Sequence, residues 1–406
     1  MAKTRVAGRI DRDSTWLAAG VLLWCITFIV VSVLVLRGGT YNSITYDVYV
    51  TAARHWWSHA PLYDTRSVDE FQYLPHAALL VSPFVYLGTP IGELAWRGLC
   101  WGLFGYGLWR MAAQLMPAQR GKAFLLAAAL VIPTSVNSLG IGQSNLLIGA
   151  STLFVAADLV EHRYWRATGW LMFGLAAKPL MAVLLLLAWA LYRPMSWRVP
   201  LGLCVLFALP FLASDPGYVW AQYSNFVAKS RVTANPNRLF EDANGLLATL
   251  GWAIPYGAFL WVRVFAAIGA LAMSMLAKRR FPDPLGTMYV AGIAVAYLML
   301  FNPRTQSNSY LIPASVAALL ATTHLLERRW LAATGMLVVI VGWYGNSHHM
   351  QWPEYWLKPL ACVGFTALLL WELTAKPTTP LPLAEPTRRR DRPPSRRTSR
   401  DRPLEK

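Results

Sequence analysis

TWLAAGVLLWCITFIVVSVLVL, running from Thr15 to Leu36, is an uninterrupted apolar stretch without a single charge. About 20 such residues span the hydrocarbon of a bilayer as a helix, so this stretch is expected to cross a membrane. It is too long and too uniformly apolar for the core of a signal peptide, and no small-residue cleavage pattern follows it, so a retained span is expected. Comparable runs recur as far as Leu373, interrupted by Pro and Gly; 56% of the chain is hydrophobic and its mean hydropathy is +0.38. An all-α integral membrane protein is therefore expected, a bundle of about ten to twelve hydrophobic helices. No internal repeat stands out.

The net charge of +17 is concentrated at the ends. From Arg388 to Lys406 nine basic residues face three acidic ones, interleaved with Pro and Ser in the manner of a disordered segment. Basic flanks stay on the cytoplasmic side, which places this tail and Lys3 to Arg12 in the cytoplasm, where they orient the chain and attract anionic lipid. Nothing in this pattern calls for a nucleic acid. Cys25, Cys100, Cys204 and Cys362 lie within apolar runs without paired spacing, so neither a disulfide nor a zinc site is implied. The expected organisation is a cytoplasmic N-terminus over 1–14, a membrane domain over 15–374 with outer loops at 38–73 and 214–256, and a basic cytoplasmic tail over 375–406.

Charge orders the second half cleanly. Arg193 and Arg198, then Lys278, Arg279 and Arg280, then Arg328 and Arg329 mark inner turns. The stretches Ser214 to Asn244, Asn302 to Ser309 and Asn346 to Glu354 then lie outside, and both termini inside. The first half resists. Its runs near 74–88, 94–115, 122–138, 145–160 and 167–192 give the right parity only with Arg120 and Lys122 outside. If the 74–88 segment or the Lys178-Pro179 interruption is re-entrant, parity and charge can be reconciled, with Gly140 to Asn145 on the outer face.

The segment after the first span carries most of the chemistry. As a helix, Ile44 to His59 places Asp47, Thr51, Arg54 and Ser58 on one face, with Tyr46, Tyr49, Val50, Ala53, Trp56 and Trp57 opposite. Such a helix suits the membrane interface, its aromatics at headgroup level and its polar face toward water. Asp47 is a candidate general base; Asp64, Asp69 and Glu70 share its loop. Lys178, flanked by apolar residues on both sides, sits where a bilayer penalises charge, the signal of a functional site; it either snorkels, pairs, or meets an anionic ligand. Arg304, external by the charge count, either clamps a phosphate bidentately or holds a loop. The amides of Gln143 and Asn145 suit sugar hydroxyls or a helix cap. Tyr218, Trp220, Tyr223 and Phe226 either stack on sugars or seat their loop. His76, His348 and His349 show no metal-ligand spacing, and no metal or other cofactor is expected.

TyrAspValTyrVal from Tyr46, ProLeuTyrAsp at 61–64, PheGlnTyrLeuPro at 71–75, GlyGlnSerAsn at 142–145, Lys178-Pro179 and AsnProArgThrGlnSerAsnSerTyr at 302–310 occur in that order. Together they resemble glycosyltransferase family 87, polyprenol-phosphate-mannose-dependent α-mannosyltransferases of the GT-C superfamily. The resemblance covers roughly 15–345 and implies a GT-C-type bundle in the plasma (inner) membrane, active on the extracytoplasmic face. It implies a polyprenyl-phosphate-mannose donor, a glycolipid or polysaccharide acceptor, no obligatory metal, and inversion to an α-linkage with α-1,2 as the expected regiochemistry. Asp47 then falls on the family's catalytic carboxylate. Lys178, Arg304 and Arg54 are the expected contacts of the donor phosphate, with Lys229 and Arg238 in reserve; Gln143, Asn145, Asn302, Asn308 and Tyr310 are the expected contacts of sugar and acceptor. A transporter or flippase of a lipid-linked saccharide is the alternative, and would predict inverted repeats.

Overall fold

The apolar runs become helices throughout the computed structural model, which describes residues 2–38, 44–64, 70–233, 240–252, 254–344 and 356–375, with side chains from 12 onward except at 232, 233 and 256. In chain order they are α1 (Ala2–Leu36), α2 (Ile44–Trp57), α3 (Pro75–Tyr86), α4 (Ile91–Leu115), α5 (Arg120–Gly140), α6 (Asn145–Val160), α7 (Tyr164–Ala177) and α8 (Ala182–Leu191). There follow α9 (Arg198–Ala208), α10 (Pro216–Thr233), α11 (Ala243–Thr249), α12 (Tyr256–Arg280), α13 (Leu285–Phe301), α14 (Leu311–Leu326), α15 (Trp330–Tyr344) and α16 (Leu357–Thr374). Residues Met1–Leu373 form one compact unit; of the second, Thr374–Lys406, only Thr374 and Ala375 are described.

Six of these helical stretches are long and apolar enough to cross a membrane, the first from Arg12 to Leu36. Their surroundings sort them into two kinds. On α6, α13 and α14 almost every side chain is buried, so these helices fill the centre of the bundle. On α1 and α12 large apolar residues such as Leu22, Ile29, Trp261 and Phe265 are exposed, as suits helices whose solvent is lipid. Trp24 and Trp101 join α1 to α4 by stacking at 3.8 Å, each indole donating to the other's backbone carbonyl at 3.2 and 3.0 Å.

Side-chain pairings give each helix its direction. Asp13 near the start of α1 accepts from the Gly121 amide at 3.0 Å and lies 3.8 Å from Arg120, so α5 begins at the same end of the bundle as α1. Arg110 of α4 meets Asp158 of α6 at 2.5 Å, which brings the ends of those two helices to the Asp13 end. Asn145, opening α6, accepts from Lys178 at the end of α7, so both lie at the opposite end, with α2. The chain then turns back: Tyr192, after α8, bonds Thr287 at 2.7 Å and lies under Lys278 at 4.8 Å. In the same way α9, α12, α13, α14, α15 and α16 alternate, while α2, α3, α10 and α11 stay at the Asp47 end.

This arrangement resolves the conflict in the first half. Residues 75–86 form a short helix that packs along α2 and does not run to the Asp13 end, and the run 167–192 is two helices that reverse at Lys178-Pro179. Both departures are needed together: either alone would leave the parity wrong. Arg120 then shares the Asp13 end with the other basic turns, as the charge pattern requires.

Loops at the Asp47 end are tied by capping and cross-loop bonds. Asp242 caps α11, accepting from the Gly245 amide at 2.8 Å, while the Glu241 amide donates to Thr305 O at 3.1 Å. Burial pushes the Asp242 carboxyl up from its ordinary 3.8 to about 6. The folded value exceeds the unfolded one, so this group's contribution to stability is fully present below pH 3.8 and is lost as pH rises through 6. Asp242→Asn keeps a side-chain acceptor and removes the buried ionisation. We expect it to raise the thermal midpoint at pH 8 relative to wild type and to leave pH 4 unchanged, as measured by thermal unfolding in detergent.

Candidate active site

The turn between α5 and α6 is the framework of the site. Gly142 has φ +70°, and a Cβ there would also stand 3.0 Å from the Tyr46 Cβ, so the position calls for glycine twice over. Two adjacent side chains of α4 hold the turn. Trp96 donates its indole N–H to Gly142 O at 2.8 Å, and Arg97 donates to Leu139 O and Gly140 O at 3.0 and 2.8 Å. Arg97 is fully buried and pairs with Glu93 one turn back at 2.7 Å. Its cation thus satisfies carbonyls at the C-terminal end of α5, where the helix dipole favours positive charge. Ser144 shares a 2.9 Å hydrogen bond with the Tyr49 hydroxyl, locking the turn to α2.

The result is a fixed Asn145 at the N-terminus of α6. Lys178 Nζ donates to Asn145 Oδ1 at 2.7 Å; Asn145 Nδ2 donates to Gln143 Oε1 at 2.7 Å, to Asn308 O at 3.0 Å and to Ser309 Oγ at 3.3 Å. Lys178 is there because Pro179 disfavours helical backbone at the residue before it: Lys178 is extended (φ −161°, ψ 135°) and ends α7. Its ammonium lies over the Tyr73 ring, 5.5 Å from the centroid, and the Tyr73 ring meets Tyr49 edge-on at 5.1 Å. Arg304 lies near enough for its charge to bear on both Lys178 and Tyr73, and its guanidinium stands 5.5 Å from the Phe240 centroid. Two like charges beside one amide cluster and one helix N-terminus repel each other; an anion between them relieves that repulsion.

Four expected polar contacts are therefore gathered within this hydrogen-bonded cluster, Gln143, Asn145, Lys178 and Asn308, and Arg304 lies beside it. Asn302 is half-buried and its amide lies 3.4 Å from Thr305 Oγ1. Tyr310 is buried, its hydroxyl donating to Glu241 O at 2.7 Å, a contact that ties two loops together. Lys229 is buried too and donates to Asp64 O, fastening the loop after α2 to α10. Arg238 and Asp69 lie outside the described residues.

On α2 the expected faces appear. Asp47, Thr51, Arg54 and Ser58 are exposed, and the side chains of Asp47 and Arg54 have no hydrogen-bond or ion-pair partner among the described residues. The opposite face departs from the expectation of headgroup anchors. Tyr46, Tyr49 and Trp56 are core residues, because α3, α4 and the α5–α6 turn cover them; Trp57 alone is exposed. Arg54 stands on the open face of α2 and not among the contacts of Lys178. On α10, where a loop was expected, Tyr218 and Tyr223 donate to Ala60 O and Phe207 O at 2.8 and 3.1 Å, so they seat the helix, while Trp220 is exposed. Burial pushes both phenols up to about 12, keeping them protonated donors.

Sequence reasoning missed Glu93, Trp96 and Arg97. The available signal was an acid and a base four residues apart on an otherwise apolar helix, a spacing that lets each neutralise the other. Removing one partner of a buried pair costs about 3–5 kcal/mol. Arg97→Met is expected to lower the thermal midpoint sharply in a detergent melt. Gly142→Ala, which forces a side chain into the left-handed region, costs roughly 1–2 kcal/mol from backbone conformation before any clash with Tyr46.

Fold and site define a polytopic helical membrane protein whose polar cluster, holding one cation with a second beside it, lies at one end of the bundle. The chain belongs to Glycosyltransferase family 87, whose profile matches residues 71–303. It is similar to GPI mannosyltransferase 1 of Trypanosoma brucei brucei (strain 927/4 GUTat10.1), 27% identical over 143 residues, which are 34% of this chain and 31% of that protein. It is also similar to the polyprenol-phosphate-mannose-dependent alpha-(1-2)-phosphatidylinositol mannoside mannosyltransferase of Mycobacterium tuberculosis (strain ATCC 25618 / H37Rv). That alignment is 26% identical over 386 residues and covers 85% of this chain and 88% of that protein. No solved structure matches the chain.

Proposed function

We propose that this chain transfers a mannosyl residue from a polyprenyl-phosphate sugar to a glycolipid or polysaccharide acceptor, inverting the donor's linkage to an α-(1→2) product. The observation that carries this reading is Lys178, hydrogen-bonded to Asn145 at the N-terminus of α6, with the Arg304 charge near enough to bear on it. Glycosyl transfer passes through an oxocarbenium-like state in which the leaving phosphate gains charge, and cations fixed beforehand stabilise it. Lys178 and Arg304 hold that phosphate; Asn302 and Asn308 meet sugar hydroxyls, the buried Gln143 and Asn145 fix Lys178 and Asn308 beside them, and Tyr310 holds the loop that presents Asn308. Asp47 takes the proton from the acceptor hydroxyl as it attacks the anomeric carbon and the C–O bond to phosphate breaks. The names of the two relatives, both mannosyltransferases, support the sugar.

In this reading the Asp47 end faces the extracytoplasmic side of the plasma membrane and the Asp13 end the cytoplasm, with both termini inside. The clustering of Arg120, Lys278 and Arg329 at the Asp13 end supports that orientation. The catalytic domain is 15–374, and 375–406 is a basic tail. The test is incubation of detergent-purified protein with polyprenyl-phosphate-mannose and a panel of glycolipid acceptors. Wild-type transfer with an α-linked product supports the assignment; saccharide movement across proteoliposomes without transfer would replace it with the transporter.

A further inference from the structure

A second feature at the Asp47 end, largely apolar with Arg54 on its wall, lies apart from the Lys178 cluster. Between α2 and α3 runs a groove of about 300 Å³ lined by Ala53, Arg54, Trp57, Ser82, Val85 and Tyr86, among others. Its walls are unlike those of the amide cluster. Trp57 is 49% and Tyr86 74% exposed, while Arg54 presents a guanidinium with no partner among the described residues. The Trp57 indole N–H is committed to Ser82 Oγ at 2.9 Å, and Ser82 in turn donates to Ala78 O at 2.8 Å. The polar edge of the indole is thereby anchored at the groove and its apolar surface remains available.

A bare hydrocarbon chain has no use for the guanidinium, and a free sugar has little use for the apolar walls. A lipid headgroup carrying a phosphodiester uses both: the planar fork of Arg54 donates two N–H groups to phosphate oxygens, and the aromatics sit at the depth where chain meets headgroup. Arg54 and Asp47 lie on one face of α2, seven residues apart, which at the α-helical rise is about 10 Å. That separation leaves room for one or two sugar rings between an anchored phosphate and a hydroxyl presented to Asp47.

We propose that the α2–α3 groove is the acceptor's headgroup site, with Arg54 holding the phosphodiester of a glycosylated phospholipid and α2 setting the distance from that phosphate to the sugar that is extended. The assignment of Asp47 rests on the transferase reading above; the groove's affinity for a glycosylated phospholipid does not.

The test uses the full chain in detergent and native mass spectrometry with three probes: a mannosylated phosphatidylinositol, phosphatidylglycerol, and a glycosyl diacylglycerol lacking phosphate. Wild type is expected to hold the first most tightly, and Arg54→Gln to weaken it about tenfold while leaving the uncharged lipid unchanged. In the transfer assay the same variant raises the acceptor KM about tenfold and leaves the donor KM unchanged, with Arg54→Lys between the two. Equal binding of the mannosylated lipid by wild type and Arg54→Gln overturns the proposal. So does phosphatidylglycerol binding as tightly as the mannosylated lipid, which would mark the groove as an ordinary anionic-lipid contact. A rise in donor KM instead would return Arg54 to the donor phosphate. Absence of any transfer by wild type would count against the reaction assigned above and leave the binding comparison to decide the groove.

Discussion

Asp47→Asn is expected to abolish transfer while the protein expresses, inserts and melts like wild type. The two halves of this result come from different facts. Asp47 is exposed and bonds no described residue, so an isosteric change should move stability by no more than about 0.5 kcal/mol. A general base contributes about 10² to 10⁴-fold, so its removal takes turnover to the assay floor in a purified system. Measured together, product formation from polyprenyl-phosphate-mannose and the melting curve separate loss of chemistry from loss of fold. Transfer by Asp47→Asn at the wild-type rate would remove this carboxylate from the reaction. The search would then move to Asp64 and Glu70 in the same loop.

Lys178→Met should be nearly as damaging, and for a different reason. The ammonium donates to Asn145 and is held over Tyr73, so it is fixed before the donor arrives. Preorganised charge of this kind typically contributes about 10² to 10³-fold to kcat. We expect kcat to fall by that factor, with a rise in donor KM and no change in acceptor KM. Asn145→Ala should reproduce part of the loss, since it frees the lysine without removing it. Unchanged donor kinetics in Lys178→Met would show that the lysine merely props α6.

Much of the fold was legible because a bilayer imposes strong rules. Apolar length marked the spans, and basic turns ordered the second half. The first half was obscure for a physical reason: Pro179 reverses the chain within a run apolar on both sides, and hydropathy averages across that break. The candidate site was legible where a residue violated its surroundings: Lys178, charged within an apolar run, stands out and lies in the hydrogen-bonded cluster, and the polar stripe that carries Asp47 stands out as the exposed face of α2. Arg97 does not, because Glu93 neutralises it one turn away. The burial of Tyr49 and Trp56 was beyond reach as well, since it depends on α3 folding back over α2, a tertiary contact with no local signature.

The brevity of the helices flanking Lys178 has a consequence of its own. α7 is 14 residues long and α8 only 10, against the about 20 needed for a hydrocarbon core of about 30 Å. Where such short elements meet lipid, hydrophobic mismatch draws the bilayer thin or lets water descend toward them. On the proposed reading, the lysine then lies below the general level of the headgroups, at a depth that a prenyl-anchored sugar phosphate reaches sideways from the leaflet without hauling its tail out of the oil.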